Sequence, residues 1–521
     1  MRREVGGMRL ISFRARPVFH GITALVGAGC VASALAVGGP PAFTALDEYA
    51  RLHGSLGHGA LHQGPPPAAY RAAGMGSTPA LPCASGSRPE TGRQGRVPAS
   101  DYANGRAAKG YTCNLTDVGH EGDSGGFQVH RYVDHSGHEC GYYDGTLLFP
   151  TRETANKPGG VVVLDMTHPD HPVRTTVLNT FAMRTPHESL RLNTKRGLLV
   201  AVAGSPVTQA GLVDVYDVSG DCRAPVFKAT TPLGILGHEG AFSPDGLTYW
   251  ASTTADRGLT AIDLTNPMLP TIVWRSEGVA THGLSISDDG RRAYLADVNT
   301  GPTQNYYQEI THGGGGLRIL DISQVQDRAL NPQVPELGYL TWPEVTIPQS
   351  TIPVTIRGHR YVVEFDEYSS NVTAYTADQN VGGVRIIDIA DETHPRVVSR
   401  MRLAVWERQA RQDQAGDPGA TSGTQGYAAH YCAVPRRLEP GILACGTIAS
   451  GLRVWDIRDP LHPRQVAYAN HPAVNAANPV SSGGGYAMSA PAFVPERREI
   501  WYADGNTGFW VERLSSAAWP R

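Results

Sequence analysis

The chain has 521 residues, of which 41% are hydrophobic, so it is long enough to bury a sizeable core and is not wholly disordered. Its 45 Lys and Arg residues and 48 Asp and Glu residues give a formal net charge of -3, which lacks the basic surplus that binding to a nucleic-acid backbone requires. We therefore expect no nucleic-acid partner. The 60 glycines and 38 prolines indicate many turns between short strands.

The first 36 residues are typical of an export signal. An arginine-rich start is followed by an uncharged apolar stretch, Gly21 to Leu35, and Ala34-Leu35-Ala36 has the small-x-small pattern of a signal peptidase site. Residues 1–36 are therefore predicted to be a signal peptide, and the protein to be secreted or associated with the cell envelope. Lipidation at Cys30 stays open as an alternative. We expect no transmembrane span in the mature chain, because no other stretch approaches the ~20 apolar residues of one.

The segment after the predicted signal peptide differs in composition from the rest of the chain. Residues 37–109 are rich in Pro, Gly and Ala and include Gly64-Pro65-Pro66-Pro67, a composition typical of flexible connections. We predict a flexible arm over residues 37–109 and a folded domain over residues 110–521.

Six cysteines follow the predicted signal peptide, an even number in a chain that is predicted to enter an oxidising compartment, so disulfides are expected. The predicted pairs are Cys432 with Cys445, Cys113 with Cys140 and, by elimination, Cys83 with Cys222. The first pair flanks a turn and should face each other across a hairpin. No Cys-x-x-Cys motif occurs, which speaks against a thiolate zinc site.

One short unit recurs along the folded region: a Gly, a mostly apolar run, an Asp and another apolar residue. The copies are GVVVLDM (160–166), GLVDVYDV (211–218), GLTAIDL (258–264), GLRILDI (316–322), GVRIIDI (383–389), GLRVWDI (451–457) and, without the Asp, GFWVERL (508–514). They recur about every 58 residues. Their Val and Ile content and flanking turn residues predict strands, and we interpret the repeated aspartates as caps of the turns that follow.

A further strand pattern, with turns such as SPDG and SDDG, precedes several of these units. Each repeat therefore holds three or four antiparallel strands, and seven repeats predict an all-β fold, a seven-bladed β-propeller. Because the last unit ends at Leu514, close to the C-terminus, a strand from the N-terminal side has to complete the last blade. We predict GGFQVHRYV (125–133) for this role, since closure of the ring removes exposed strand edges.

The Gly-to-Asp strands, most of them followed by turns such as THPDHP and RDPLHP, resemble the LVIVD-repeat proteins, a bacterial group of exported β-propellers. The resemblance covers about residues 110–518. It implies the architecture and the export of the protein but no particular reaction.

Histidines occupy most of the positions that open the inner strands when the blades are aligned on their turns. They are His138, His187, His238, His282 and His430, with Ser350 and Ser489 at the remaining two positions. Inner strands surround the central channel, so these histidines are predicted to form a ring that holds a transition metal, Fe, Cu, Mn or Zn. Three acidic residues directly follow a histidine, Glu139, Glu188 and Glu239. They are predicted to orient the ligating rings, and the alternative that they face solvent stays open.

Two kinds of function stay open. With a metal in an open coordination sphere, the ring would suit an oxidoreductase or hydrolase that acts on a small molecule. Alternatively, the histidines join neighbouring blades, as in tryptophan-aspartate repeat propellers, and the protein is a non-catalytic extracellular scaffold whose loop face binds a surface protein. Whether the chain is an enzyme is therefore open, and we expect a monomer.

Three other features were considered as sites. Gly122-Asp123-Ser124-Gly125-Gly126 spells the string around a trypsin-like nucleophile, but it stands too early in the domain for that fold, and we interpret it as a turn. Asp366 and Glu367 are interpreted as a strand end rather than as an acid/base pair. Long loops at residues 301–315, 407–426 and 470–485 are predicted to contribute a binding surface.

Overall fold

The computed structural model describes residues 76–145, 159–203, 211–234, 237–253, 258–277, 279, 281–298, 315–342, 344, 347–367, 383–407, 409–421, 426–474 and 484–519. The predicted signal peptide, Cys30 and all but the last residue of the predicted loop 301–315 lie outside these residues. Within the described ranges, no helix has the length and apolar character that crossing a membrane would need.

Two strands, β1 (Tyr111–Cys113) and β2 (Leu115–Glu121), precede the blades. The strands of each blade are given from the inside outward. Blade 1 consists of Val129–Val133 (β3), Glu139–Asp144 (β4), Val161–Asp165 (β5) and Val173–Leu178 (β6), and blade 2 of Arg191–Asn193 (β7), Leu198–Val202 (β8), Val213–Asp217 (β9) and Val226–Thr231 (β10). Blade 3 consists of Glu239–Phe242 (β11), Thr248–Thr253 (β12), Gly258–Asp263 (β13) and Thr271–Glu277 (β14).

Blades 4 to 7 follow the same order. Blade 4 consists of Thr281–Ile286 (β15), Arg292–Asp297 (β16), Gly316–Asp321 (β17) and Glu336–Thr341 (β18), and blade 5 of Ile347–Ile356 (β19), His359–Glu367 (β20), Val384–Asp388 (β21) and Arg396–Met401 (β22). Blade 6 consists of Cys432–Ala433 (β23), Ile442–Gly446 (β24), Leu452–Asp456 (β25) and Arg464–Asn470 (β26), and blade 7 of Ala492–Val494 (β27), Glu499–Asp504 (β28) and Gly508–Leu514 (β29). All these sheets are antiparallel, and the predicted seven-bladed β-propeller is confirmed.

Helices are few and short in the described part of the chain. The α-helical turns are Ala99–Ala103, Phe181–Arg184, Ser323–Gln326, Ala410–Asp413 and Pro418–Thr421, and the 3-10 turns are Ala107–Lys109, Ala404–Trp406 and Pro495–Arg497.

The repeated aspartates end the third strand of six blades and cap the turn that follows. The Asp165 carboxylate accepts the backbone N–H of Thr167 at 2.9 Å, and Asp388 accepts that of Ala390 at 3.0 Å. The remaining four make the same bond at Asp217, Asp263, Asp321 and Asp456. The interpretation of these residues as turn caps is confirmed.

The core lies between the faces of neighbouring blades. Val200 and Val215 of blade 2, for example, pack in one buried cluster with Tyr249 and Ile262 of blade 3. Both faces of a blade are covered in this way, which explains why strands such as Leu198–Val202 are apolar at every position.

The ring is closed by an N-terminal strand, but not by the predicted one. β2 pairs with β29, with Leu115 opposite Leu514, and becomes the outer strand of blade 7. β1 pairs with β26 and adds a fifth strand to blade 6. The prediction for residues 125–133 is wrong in detail, because Val129–Val133 within it forms the inner strand of blade 1. β2 is polar and only its first residue, Leu115, is fully buried, so its sequence gives a weak strand signal.

Residues 76–109, within the predicted arm, pack on the propeller. Val97 is buried, and its N–H donates to the hydroxyl of Tyr427 at 3.0 Å. Ala80 forms a parallel bridge with Gln465. The packed region of the chain therefore begins before Gly110, since these contacts satisfy backbone groups that a flexible connection would expose to water.

All six cysteines expected to be oxidised form disulfides, but only one predicted pairing is confirmed. The bridges are Cys432–Cys445, Cys83–Cys113 and Cys140–Cys222. The first joins directly opposed residues of β23 and β24. The predicted pairing of the other four is wrong, because Cys113 on β1 belongs to blade 6 and Cys140 on β4 belongs to blade 1, and blade 7 lies between these two blades. The third bridge links blade 1 to the segment that follows β9 of blade 2.

Candidate axial site

Four of the five predicted histidines meet on the propeller axis. His187, His238, His282 and His430 come from blades 2, 3, 4 and 6, each just before or at the start of an inner strand. The ring centroids of His187 and His238 are 4.5 Å apart, and those of His238 and His282 are 4.7 Å apart. His187 has a φ of 51°, a left-handed conformation that is uncommon for a residue with a side chain and is often found at functional sites.

His138 is not part of this site, so that prediction is wrong. It ends the turn between β3 and β4, is 32% exposed, and places Nδ1 2.9 Å from Asp134 Oδ2. The inner strand of blade 1 ends at Val133, so His138 precedes the second strand of this blade, whereas the alignment of the repeats predicts that it opens the inner strand. Phe127 stands at the axis instead, with its ring centroid 4.4 Å from that of His187.

Glu139 follows His138 away from the axis, so its predicted role beside a ligand is also wrong. Its carboxylate pairs with Arg131 at 2.5 Å and with Arg497 at 2.9 Å. These contacts join blade 1 to the hairpin turn of blade 7.

Glu188 faces the same point as the axial histidines. Its Oε2 lies 3.1 Å from His238 Nε2 and 3.3 Å from His282 Nε2, and its Oε1 lies 3.7 Å from His430 Nε2. The two imidazole atoms, His238 Nε2 and His282 Nε2, are 2.7 Å apart. Glu188 therefore stands among the candidate ligands rather than behind them.

Glu239 lies beside this group but is held by other partners. Its Oε1 accepts hydrogen bonds from Arg191 at 2.7 Å and from the Ser350 hydroxyl at 2.8 Å. The carboxylate is packed so closely against Gly283 that a Cβ there would lie 1.6 Å from Glu239 Oε2. The absence of a side chain at Gly283 thus makes room for a carboxylate next to His282.

Glu367 completes the group, and sequence analysis did not identify it as a ligand. From the end of β20 its Oε2 reaches within 3.4 Å of His430 Nε2. Its neighbour Asp366 points elsewhere and accepts bonds from Arg385 at 2.7 Å and from the Gly383 N–H at 2.6 Å. Since consecutive residues of a strand face opposite sides, the two carboxylates could not act as one pair. Strand alternation was the signal that could have separated them.

Neighbouring blades fix the orientation of two of the imidazoles. His282 Nδ1 lies 3.0 Å from the carbonyl oxygen of Pro348, and His430 Nδ1 lies 2.9 Å from that of Met488. A carbonyl oxygen can only accept, so each Nδ1 carries the proton. In the neutral form of each ring, the Nε2 lone pair then points toward the axis.

Burial and mutual attraction shift the pKa values in this group. Burial lowers the pKa of His187 to about 3. Burial also opposes charge on Glu188 and His282, but their attraction lowers the pKa of Glu188 well below its ordinary value and raises that of His282 to about 9. Burial raises the pKa of Glu239 to about 7, against the opposing effect of Arg191. Positive charge on His282 therefore stabilises the ionised form of Glu188.

Several buried polar atoms of the site make no hydrogen bond to any described residue. They are His187 Nδ1 and Nε2, Glu239 Oε2 and His430 Nε2. A buried polar group without a partner costs about 1–3 kcal/mol. These atoms lie among residue groups that could hold a metal ion.

Ser124 of the trypsin-like string lies in the irregular connection between β2 and β3, with a bend at Asp123. Its hydroxyl donates to the Gly145 carbonyl oxygen at 3.2 Å.

Comparisons with known proteins show likeness in fold alone. No protein-family model and no curated protein matches the chain, so the relation to LVIVD-repeat proteins stays a prediction. Among solved structures, hydrazine synthase of Kuenenia stuttgartiensis is 12% identical with a TM-score of 0.46, covering 75% of this chain and 96% of that one. The periplasmic gluconolactonase of Pseudomonas aeruginosa is 13% identical with a TM-score of 0.43, covering 75% of this chain and 89% of that one. At this level the likeness carries no argument about activity.

Proposed function

We propose that the chain binds a divalent transition metal ion on the propeller axis. The atoms that would hold it are His238 Nε2, His282 Nε2 and a carboxylate oxygen of Glu188, with His430, His187 and Glu367 close enough to contribute. A set of imidazole and carboxylate donors suits Fe, Mn, Zn or Cu. We propose a metal that binds several of these residues at once, not the full five-histidine ring expected from sequence.

The observation that carries this proposal is the mutual distance of the three central atoms. They lie 2.7, 3.1 and 3.3 Å apart. Neighbouring ligands bound to one metal at about 2.0–2.2 Å are themselves about 2.8–3.1 Å apart in octahedral geometry and about 3.3–3.6 Å apart in tetrahedral geometry. Only small side-chain adjustments separate this arrangement from a coordination sphere.

The protonation pattern supports the same conclusion. In their neutral forms, His282 and His430 present Nε2 lone pairs to the axis because their Nδ1–H groups donate to Pro348 and Met488. Although burial opposes it, attraction by Glu188 raises the pKa of His282 to about 9, so a metal would bind there in place of a proton. Glu188 also offers only acceptor atoms when ionised. A convergence of acceptors is unfavourable unless a proton or a cation lies between them, and carbonyl-anchored imidazoles are the usual arrangement behind metal ligands.

A bound metal with an open position would activate water or dioxygen, the chemistry of hydrolases and oxidoreductases. The protein's own contribution would be to exclude bulk water, since His282 and His430 are almost fully buried, and to hold the imidazoles by backbone carbonyls of rigid strands. Glu239, clamped by Arg191 and Ser350, adds a carboxyl group beside the metal that could hold or release a proton.

The experiment is a metal analysis of the purified protein and of two variants. After dialysis against Fe, Mn, Zn or Cu, the parent should retain about one equivalent of one of these metals. His238→Ala/His282→Ala should retain none while keeping its circular dichroism spectrum. His359→Ala, which removes a histidine paired with Asp388 on the outside of blade 5, should bind as the parent does. A parent that retains no metal under all four conditions would refute the proposal.

A second candidate function rests on a specific observation. His282 of blade 4 bonds Pro348 of blade 5, and His430 of blade 6 bonds Met488 near the inner strand of blade 7. These are the contacts between blades that a purely structural role of the histidines requires. In that case the protein is a binding scaffold, a protonated His282 neutralises Glu188, and the metal analysis gives a negative result.

A further inference from the structure

A cavity lies beside the axial site. It has a volume of about 350 Å³ and is lined by the inner strands of blades 1 to 6 and by Ala490, which precedes the inner strand of blade 7. Small-molecule sites typically have volumes from about 300 Å³ upward. Arg191 and Ser350 line the cavity, and both also hold Glu239. Tyr431, another lining residue, directly follows His430. One layer of side chains therefore separates the cavity from the candidate metal ligands.

The middle of the cavity is apolar. Phe242, Leu284, Ile352, Phe365 and Val434 contribute to its wall. A ligand that occupies this part would gain by removing hydrocarbon surface from water.

The mouth of the cavity is basic. Arg436 and Arg437 extend from the turn between β23 and β24, and Arg436 is exposed. Arg437 is anchored by donating to the Ile286 carbonyl oxygen at 2.6 Å and to Asp288 at 2.9 Å. For Arg436 the structure shows one bond, from Nε to the Glu439 carbonyl oxygen at 3.0 Å. Its terminal nitrogens are thus free to meet a ligand.

Acidic side chains are missing from the lining of this cavity, as far as the described residues form it. Two of its three arginines are paired with carboxylates outside the lining, Arg191 with Glu239 and Arg437 with Asp288, and burial lowers the pKa of His130 to about 4. Arg436, which makes no salt bridge to the described residues, therefore supplies the net positive charge at the mouth. This favours an anionic ligand, and guanidinium groups match a carboxylate particularly well.

Two buried polar groups line the cavity close to the axial histidines. Gln128 Nε2 has no hydrogen-bond partner within the described part of the chain, and the Tyr431 hydroxyl faces the Gln349 amide. A carbonyl or hydroxyl oxygen on a ligand would satisfy these donors, next to the axial site.

We propose that this cavity binds a small amphipathic carboxylate. Its carboxylate contacts Arg436 and Arg437 at the mouth, its apolar body lies along the wall, and a hydrogen-bond-accepting oxygen at its other end meets Gln128 and Tyr431. This names the substrate class of the axial site and in that respect rests on the proposed function. The binding itself requires only the arginines, the apolar wall and the two donors.

The test is calorimetric titration of chelator-treated full-length protein with three probes. They are 4-phenylbutyrate, its neutral counterpart 4-phenylbutan-1-ol, and 4-(4-acetylphenyl)butyrate, which adds a terminal carbonyl. We expect the carboxylate to bind at least about tenfold more tightly than the alcohol, since hydrogen bonds to charged groups contribute most. The acetyl group should increase affinity further. Equal binding of acid and alcohol, or no binding of any probe, would overturn the proposal.

Variants assign the contacts. Arg436→Gln/Arg437→Gln should weaken 4-phenylbutyrate by about tenfold, whereas Lys195→Gln, a charge change at an exposed turn of blade 2, should have little effect. Tyr431→Phe should remove the gain from the acetyl group and leave 4-phenylbutyrate unaffected. This substitution deletes a hydroxyl whose contact is the Gln349 amide and keeps the buried ring, so the fold should tolerate it. Tyr216→Phe, whose hydroxyl meets Thr180 away from the cavity, is the control.

The outcomes separate this inference from the proposed function. Probe binding that survives in a protein without any metal affinity would refute the axial metal and retain the carboxylate site. If the carboxylate binds only after metal is added, and the arginine substitutions do not weaken it, the probe coordinates the metal and the carboxylate site is refuted.

Discussion

Glu188 and Glu239 each directly follow a histidine in the chain, but their surroundings differ. Glu188 faces His238 and His282, whose attraction lowers its pKa although burial opposes this. Glu239 faces Arg191 and Ser350, and burial raises its pKa to about 7. The sequence therefore predicts a carboxylate next to each of these two histidines. It does not predict the partners of each carboxylate, which depend on how the neighbouring blades pack.

Asp504 is a residue at which two physical effects oppose each other. It is 1% exposed, which disfavours a charge, yet its carboxylate accepts the N–H groups of Tyr486 at 2.7 Å and Asn506 at 2.8 Å, which favours one. Burial dominates and raises its pKa from 3.8 to about 6. Because the folded protein holds this proton more tightly, the stability that Asp504 contributes is full below pH 3.8 and is lost as the pH rises through 6.

We expect this residue to lower the free energy of unfolding by about 2 kcal/mol between about pH 4.5 and 7.5. Asp504→Asn should remove that part of the pH dependence, whatever its effect on absolute stability. Urea denaturation across this range measures it. Asp165→Asn is the control, because hydrogen bonds from Thr167 and the charge of Arg223 outweigh burial and hold the pKa of Asp165 below its ordinary value of 3.8, outside the window. Identical pH dependence of Asp504→Asn and the parent would mean that the N–H donors win at Asp504 as well.

At the level of elements, the closing strand β2 shows why ring closure was only partly predicted. The need for an N-terminal strand followed from the position of the last repeat unit. The choice of strand did not, because Val129–Val133 has the stronger strand pattern and every residue of β2 after Leu115 is exposed or only half-buried. An outer strand with one covered face needs few apolar residues, so its sequence resembles that of a loop.

Gly119 in this strand should be sensitive to substitution. It follows a bulge in the pairing of β2 with β29, and a Cβ there would lie 2.0 Å from the Pro169 carbonyl oxygen of blade 1. Gly119→Ala should therefore displace the closing strand and lower stability by about 1–3 kcal/mol, as overpacking does. Thermal unfolding would show the loss, and size-exclusion chromatography would detect association through the exposed edge of β29.

The matched control is Gly220→Ala, because a Cβ at Gly220 meets no atom within 4 Å. It should unfold at the temperature of the parent. If both variants behave alike, the contact between β2 and blade 1 is not what holds the closing strand in place.

For the whole molecule, the repeat period predicted the number of blades and four of the axial histidines. It failed where a position is not equivalent in all blades. His138 follows the inner strand of blade 1, which begins at Val129, instead of opening it. Glu367 reaches the axis from the end of β20 rather than from the start of an inner strand. Disulfides between neighbouring blades, such as Cys140–Cys222, depend on how these blades pack, which the spacing of cysteines along the chain does not reveal.

Because the axial residues come from blades 2 to 6, a bound metal should stabilise the ring as a unit. Ligand binding to the folded state alone adds about 2.7 kcal/mol of stability when the free metal is about 100 times Kd. We expect chelator treatment to lower the melting temperature, and addition of the metal retained by the parent to restore it in a concentration-dependent way. His282→Ala should unfold at a temperature that metal does not change, while His359→Ala should respond as the parent does. A parent whose melting temperature is the same with chelator and with excess metal would show that contacts between blades alone hold the ring together.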